Sequence, residues 1–346
     1  MGKELYFVND FTALLANLDA LLITQPANVR YLTGFPHAED AWLWIDGAGP
    51  RLLASPLYEN DLKDFGLPYL LGRPKDWPRL LAERARGRVG FESTHLSYGD
   101  FQRLSESLKG AELVPTEGRV EALRVKKRPD EVEKIRVAMR IAREAYREAL
   151  TEVRPGVRER EVAAALECAM RRRGAEGRAF PTIVASGENG AFPHAGASER
   201  PLREGELVTL DFGARHQGYH SDVTRTLPLG RIAPELSRLL RAVQDALSAA
   251  LEHIGPGRPL AEPDRAARAV LEAEGLLRYY PHALGHGVGL EVHEAPRISH
   301  ESGGRFEPGM VVTIEPGVYI QGLGGARVEE LVLITENGFL VLSDDL

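Results

Sequence analysis

Four carboxylates and a histidine-rich segment have the types and spacing for shared chemistry. Asp211 stands near the end of the run Leu-Val-Thr-Leu-Asp-Phe-Gly (207–213), and Asp222 follows in Ser-Asp-Val-Thr. Glu315 occupies the same place in Val-Val-Thr-Ile-Glu-Pro-Gly (311–317), and Glu329 follows a Gly-rich turn (322–325) in Arg-Val-Glu-Glu. Between the two pairs lies His282-Ala-Leu-Gly-His286-Gly-Val-Gly-Leu-Glu-Val-His293. Four carboxylates converging in a core cannot all stay ionised without a counter-charge, so they protonate or bind cations. One isolated acid in a strand reads as a hydrogen-bonded structural residue. Four at matching positions with a histidine cluster between them read as a divalent-metal site. Oxygen donors with one imidazole suit Mn²⁺, Co²⁺, Fe²⁺ or Zn²⁺ better than Ca²⁺. Gly285, Gly287 and Gly289 around His286 allow a close backbone approach.

The elements that must position these groups repeat. Glu-Gly-Glu-Leu-Val-Thr-Leu-Asp-Phe-Gly (204–213) aligns with Pro-Gly-Met-Val-Val-Thr-Ile-Glu-Pro-Gly (308–317), placing Asp211 on Glu315. Ala149-Leu150 before Pro155-Gly156 is matched by Ala250-Leu251 before Pro256-Gly257. The pattern predicts a duplicated helix–helix–hairpin unit with halves at roughly 126–230 and 231–346. Strand alternation puts Thr209 and Asp211 on one face and Val208, Leu210 and Phe212 on the other. A long helix is predicted from Asp130, with apolar residues at three-to-four spacing from Val132 to Ala149, and a second over 157–173. Cys168, in the Ala-rich second helix, reads as a core thiol, and Arg171-Arg172-Arg173 as a solvated helix end.

Upstream, residues 18–115 alternate short apolar runs with helical stretches, an α/β pattern. Strands are predicted at 20–24, 41–45, 52–54, 69–71, 88–91 and 112–114. Helices are predicted just after Asn9 and over 56–65, 77–86 and 98–108. The polar, basic stretch 125–130 marks a boundary, giving domains 1–123 and 124–346.

The chain has 346 residues and a net charge of −7, enough length for about two domains. That charge argues against nucleic-acid and anionic-membrane partners, which need a basic surface. The one cysteine cannot form an internal disulfide, and no apolar run approaches the roughly 20 residues of a membrane span. No secretory signal is visible at the start, so the expected location is cytoplasmic. Eight of the ten histidines fall at or after His194.

The ordered motifs from His194 through Leu-Asp211-Phe-Gly, Ser-Asp222-Val-Thr-Arg, His286-Gly-Val-Gly, Ile-Glu315-Pro-Gly and Arg327-Val-Glu329 resemble the M24 metallopeptidases of pita-bread fold. Within them the sequence is most similar to the Xaa-Pro dipeptidase (prolidase) and Xaa-Pro aminopeptidase branch. Residues 23–34 resemble the start of a creatinase-type N-terminal domain. The implied architecture is an α/β creatinase-type N-terminal domain followed by an α+β pita-bread catalytic domain with an internal pseudo-two-fold repeat.

The resemblance implies two divalent metal ions (Mn, Co or Zn) held by Asp211, Asp222, His286, Glu315 and Glu329. Glu329 is preferred to Glu330 because the ligand directly follows the Arg-Val pair and strand alternation turns Glu330 to the other face. A metal-bridging hydroxide would attack the scissile carbonyl, with Glu315 as general base and later acid and His194 and His293 as catalytic donors. The resemblance also puts His282 and Tyr319 on the substrate side. His282 as a turn-capping residue and Tyr319 as packing are the structural alternatives. Arg297 would clamp a free carboxylate or brace its loop, and Arg327 would pair with a ligand carboxylate. The implied substrates are short peptides with Pro in second position, and the N-terminal domain implies a homodimer. The alternatives are a metal-free binding module of the same fold and a broader aminopeptidase acting on Met-Xaa. His220 has no motif match and reads as a surface or supporting residue.

Overall fold

The chain divides between Leu123 and Arg124 into two units, in a computed structural model that describes residue 11 and residues 13–344. In the first unit the apolar runs become β1 (Ala20–Ile23), β2 (Ala41–Asp46), β3 (Gly49–Ala54), β4 (Tyr69–Leu71), β5 (Gly87–Glu92) and β6 (Ala111–Thr116). They form one mixed sheet in the order β4-β3-β2-β1-β5-β6, antiparallel across β1–β2 and β2–β3 and parallel elsewhere. All four residues of the central β1 are buried, the signature of a strand covered on both faces. Trp44, Leu53, Trp77, Leu81 and Leu104 pack in one cluster against it.

The helices of this unit are α1 (Pro26–Thr33), α2 (Glu59–Lys63), α3 (Trp77–Leu81) and α4 (Tyr98–Ser107). Three depart from the sequence reading. α1 was not expected, because its inward face mixes the buried polar residues Asn28 and Thr33 with Val29, Tyr31 and Leu32, which breaks the apolar period. The stretch 56–65 is a short 3₁₀ turn followed by α2, and 77–86 is helical only to Leu81. The helix expected just after Asn9 falls largely outside the described residues, and residues 13–17 form turns.

A one-turn helix, α5 (Glu121–Arg124), straddles the division, and the second unit continues with α6 (Pro129–Ala149) and α7 (Glu159–Arg172). Cys168 is exposed rather than in the core: Val162, Leu166, Ala169 and Met170 make the buried face of α7, and Cys168 turns outward between them, beside Arg172. Next come β7 (Gly177–Arg178), β8 (Ile183–Ser186), β9 (Glu206–Phe212), β10 (Ala214–His216), β11 (Tyr219–His220) and β12 (Val223–Leu229). The second half brings α8 (Pro234–Leu251), α9 (Glu262–Ala273), β13 (Gly285–Gly287), β14 (Glu294–Ile298), β15 (Val311–Ile314), β16 (Gly317–Ile320), β17 (Gly324–Arg327), β18 (Glu330–Thr335) and β19 (Gly338–Val341).

The duplication is visible in the topology. β9 pairs antiparallel with β12 after an excursion through β10 and β11, as β15 pairs with β18 after an excursion through β16 and β17. β8 flanks β9 as β13 flanks β15. A helix pair precedes each hairpin, α6 with α7 and α8 with α9. The two hairpins touch where Glu329 donates its backbone N–H to the Thr224 carbonyl and Thr226 Oγ1 donates to the Arg327 carbonyl. The acids of both halves meet at this seam.

Candidate metal centre

Asp211 sits in β9, Asp222 one residue before β12, Glu315 one residue after β15 and Glu329 one residue before β18. Carboxylate oxygens of Asp211, Asp222 and Glu329 lie within 4.8 Å of one another. His286, in β13, joins them: its Nε2 is 3.1 Å from Glu315 Oε1 and 3.7 Å from Asp222 Oδ2. Its Nδ1 is turned to the Gly287 carbonyl at 3.1 Å, so Nε2 is the nitrogen offered to the carboxylates.

The glycines around His286 now have a physical reason. A Cβ on Gly285 would lie 1.9 Å from the Thr313 carbonyl oxygen, and one on Gly287 would lie 2.2 Å from that of Ala295. β13 is squeezed between β14 and β15, and only glycine permits that approach. Thr313 completes the positioning, accepting from the His286 amide and donating to Glu315, both at 3.1 Å.

Electrostatics separate the acids. Burial would raise Glu315, but the His286 hydrogen bond and charge bring its pKa down to about 2. The same contact raises His286 against the opposing effect of burial. Asp222 goes well above the carboxylate range, through burial and then the charges of Glu329, Asp211 and Glu315. Glu329 does the same, through burial and the charges of Glu315 and Asp211. Asp211 is raised by burial although Arg327 Nη2 donates to its Oδ2 at 2.5 Å. Asp211 Oδ1 and Glu329 Oε1 are buried with no hydrogen-bond partner. Orphaned carboxylate oxygens beside an acid with no base of its own, near an imidazole nitrogen, fit divalent cations.

The centre forms the floor of a cavity of about 960 Å³, a volume suited to a small ligand. His194, His282, His293, Arg297, Tyr319 and Arg327 all line it, as do Asp211, Asp222, His286 and Glu315. Glu329 lies deeper, 1% exposed. The His293 ring meets that of His286 edge-on at 4.3 Å, and Arg297 stands opposite His286 across β13–β14. Arg327 Nη1 donates to Tyr319 Oη at 2.8 Å and to the Pro193 carbonyl at 3.2 Å, beside His194. Tyr319 Oη is 3.0 Å from His282 Nε2, and His282 Nδ1 is 2.7 Å from the Ala283 carbonyl. Since that carbonyl can only accept, the His282 proton sits on Nδ1 and Tyr319 donates to Nε2. Glu330 turns away from the centre and pairs with Arg225, and His220 is engaged with the Gly289 carbonyl.

Sequence reasoning missed several groups. Phe180, Pro181 and Ile183 give the cavity an apolar wall with no motif to announce it. Thr224, whose Oγ1 donates to Glu329 at 2.7 Å, carries only the signal of standing two residues after Asp222 on the same strand face.

The acid-lined, imidazole-bearing centre at the seam of a duplicated hairpin unit has the donor set of a divalent-metal site. The model of Metallopeptidase family M24 matches residues 133–336, and that of the Creatinase/Prolidase N-terminal domain matches residues 15–126. The chain belongs to metallopeptidase family M24, with a creatinase-type N-terminal domain and a pita-bread catalytic domain. It is 38% identical over 323 residues to the Xaa-Pro dipeptidase of Pyrococcus furiosus, covering 93% of this chain and 92% of that protein. The structure of an Xaa-Pro dipeptidase from Bacillus anthracis superposes with a TM-score of 0.90 at 34% identity, covering 96% of this chain and 94% of the other. That of an X-Pro aminopeptidase from Thermotoga maritima gives 0.86 at 31% identity, covering 96% and 97%. Among the described residues no helix is long and apolar enough to cross a membrane.

Proposed function

We propose that the protein is a dinuclear-metal exopeptidase that hydrolyses Xaa-Pro bonds, with Asp211, Asp222, His286, Glu315 and Glu329 as the residues that hold the ions. The observation that carries this reading is the meeting of Asp211, Asp222 and Glu329 at a cavity floor, two of their oxygens buried and unpartnered. Mn²⁺, Co²⁺ or Zn²⁺ bound there would supply an activated water and polarise the scissile carbonyl.

The chain's own residues supply the rest. Glu315, ionised at neutral pH beside His286, takes the proton of the attacking water and returns it to the leaving nitrogen. His293 is held neutral by burial and then by neighbouring His286. It offers one N–H to the peptide, as does His194 from the facing loop. Arg327 fixes Asp211 with one guanidinium nitrogen and Tyr319 with another, and Tyr319 fixes His282. The guanidinium fork of Arg297 matches a free carboxylate at the end of a dipeptide. That match, with two of the three compared relatives named dipeptidase, favours dipeptides over longer peptides. The homodimer implied by the N-terminal domain belongs to the same reading and is measured by light scattering.

The test is mass spectrometry of Ala-Pro, Ala-Pro-Ala and Met-Ala-Ala incubated with the protein and Mn²⁺ or Co²⁺. Cleavage of Ala-Pro alone is expected, and it should fall to background in Asp222→Ala with an unchanged circular-dichroism spectrum. Release of Ala from the tripeptide would make the protein an aminopeptidase, and release of Met a broader one. No cleavage and no bound metal would make it a binding module.

A further inference from the structure

The loop that carries His194 is closed at its base by one side chain of α7. Ser186 ends β8 and Ser198 lies twelve residues on, bracketing the segment that includes Pro193 and His194. Both serines bond to the carboxylate of Glu159, a residue with no exposed surface. Oε1 accepts from the Ser186 amide at 2.8 Å and from its hydroxyl at 2.7 Å. Oε2 accepts from the Ser198 amide at 3.1 Å, the Ser198 hydroxyl at 2.6 Å and Asn189 Nδ2 at 2.9 Å. In return the first turn of α7 gives its free N–H groups to the loop: Glu159 donates to the Arg200 carbonyl and Arg160 to that of Ser198.

The flank of the loop is fixed without side chains. A Cβ on Gly325 would lie 2.1 Å from the Gly190 carbonyl oxygen, and one on Gly324 would lie 2.9 Å from that of Gly187. The loop therefore lies backbone to backbone on β17. Its tip is tied by Arg327 to the Pro193 carbonyl. His194 itself is exposed to the cavity, so its position depends on these three anchors. Only the one at Glu159 holds both ends of the loop at once.

We infer that Glu159 is a positioning residue for the peptidase reaction, acting through His194 by holding both ends of the 187–198 loop; this rests on the role proposed above for His194. An isosteric amide would not replace it. Each carboxylate oxygen faces at least one N–H that cannot turn away, and a Gln NH₂ in either place would point donor against donor.

The experiment compares Glu159→Gln, His194→Ala and the double variant in Ala-Pro hydrolysis, and follows amide hydrogen exchange over residues 187–198. Glu159→Gln is expected to lower kcat by about tenfold to a hundredfold, as for a catalytic group displaced by about 1 Å. It should speed exchange in 187–198 while leaving the α7 amides beyond its first turn unchanged. The double variant should match His194→Ala within about twofold, since one pathway cannot be lost twice. Ser198→Ala, which removes one hydroxyl that donates to Glu159 and accepts from Asn189 and the Arg200 amide, should give a smaller loss of the same kind. Unchanged exchange in the loop overturns the inference whether or not the peptide is cleaved. So does a double variant whose losses multiply, which is the mark of a general structural role. If His194→Ala is fully active, the role of His194 falls and the inference with it. If His194→Ala is impaired while Glu159→Gln is not, the inference alone falls.

Discussion

Two groups of buried carboxylates flank the His286–His293 segment, and the fold treats them in opposite ways. Glu294, which follows His293, is 5% exposed, with Lys127 Nζ 2.8 Å from one oxygen and Arg124 Nη2 2.6 Å from the other. Both cationic side chains are themselves almost fully buried, and Arg124 also reaches Glu291 at 2.8 Å. Burial would raise the Glu294 pKa, but Lys127 and Arg124 outweigh it and hold it below the ordinary value. At the cavity floor Asp222 and Glu329 are as deeply buried, yet their neighbours are other acids and both are pushed well upward. In one place the chain provides its own counter-charge. In the other it gathers negative charge and leaves two oxygens unpartnered, which is sensible physics only if cations arrive from outside.

That contrast can be broken at either end. The largest effect is expected at the self-neutralised group. Removing one member of a buried ion-pair cluster leaves it out of balance: Glu294 would keep only Arg124, which it shares with Glu291, so Lys127→Ala should cost about 3 kcal/mol of unfolding free energy in urea. The cost should be the same in EDTA and in Mn²⁺. Combining Lys127→Met with Glu294→Gln, which removes charge from both partners, should recover much of the loss; no recovery would mean that Lys127 acts by packing rather than charge. At the floor the dependence reverses. Mn²⁺ at a hundred times its dissociation constant should stabilise the EDTA-treated wild type by about 2.7 kcal/mol, and Lys127→Ala equally. Asp222→Asn should lose that gain while being more stable than wild type in EDTA, since it removes a buried charge that is repelled by Glu329, Asp211 and Glu315. A metal-dependent gain that survives Asp222→Asn would place the ions elsewhere.

The same contrast shows what the sequence makes legible. The floor was readable because its acids recur at equivalent places in a duplicated hairpin, and repetition is a pattern that local residues carry. The six strands of the first unit were readable because burial on one or both faces imposes an apolar period. Glu159 was not readable: Arg158-Glu159-Arg160-Glu161 looks like a solvated helix start, and its burial comes from a loop whose ends lie 27 and 39 residues later. Arg124 precedes, and Lys127 lies within, the stretch whose charge and Pro129 mark a boundary, and nothing nearby signals that they close over Glu291 and Glu294. Cys168 failed in the other direction, an apolar-type residue in an Ala-rich helix that faces solvent. For Glu159, Arg124 and Lys127 the partner is far away in sequence, and composition and spacing carry no information about it.

The smallest expected effect is a difference in slope against pH, and its sign differs between the two groups. Glu294 has its folded pKa lowered, so its folded state binds fewer protons than the unfolded chain. Its contribution to stability is complete above the ordinary value of 4.5 and is lost as pH falls through that region. Asp222 and Glu329 have folded values raised well above 3.8 and 4.5, so without a cation their contribution is complete below those values and is lost as pH rises. Urea unfolding in EDTA should therefore show Glu294→Gln losing less stability than wild type as pH is lowered from 6 to about 3. Asp222→Asn should lose less than wild type as pH is raised from about 4 to 8. Saturating Mn²⁺ should abolish the second difference, because ions that favour the charged carboxylates remove the reason to protonate them, and should leave the first untouched. A slope at Asp222 that Mn²⁺ does not change would mean that the floor acids are neutralised by the chain itself, and the contrast between the two groups would disappear.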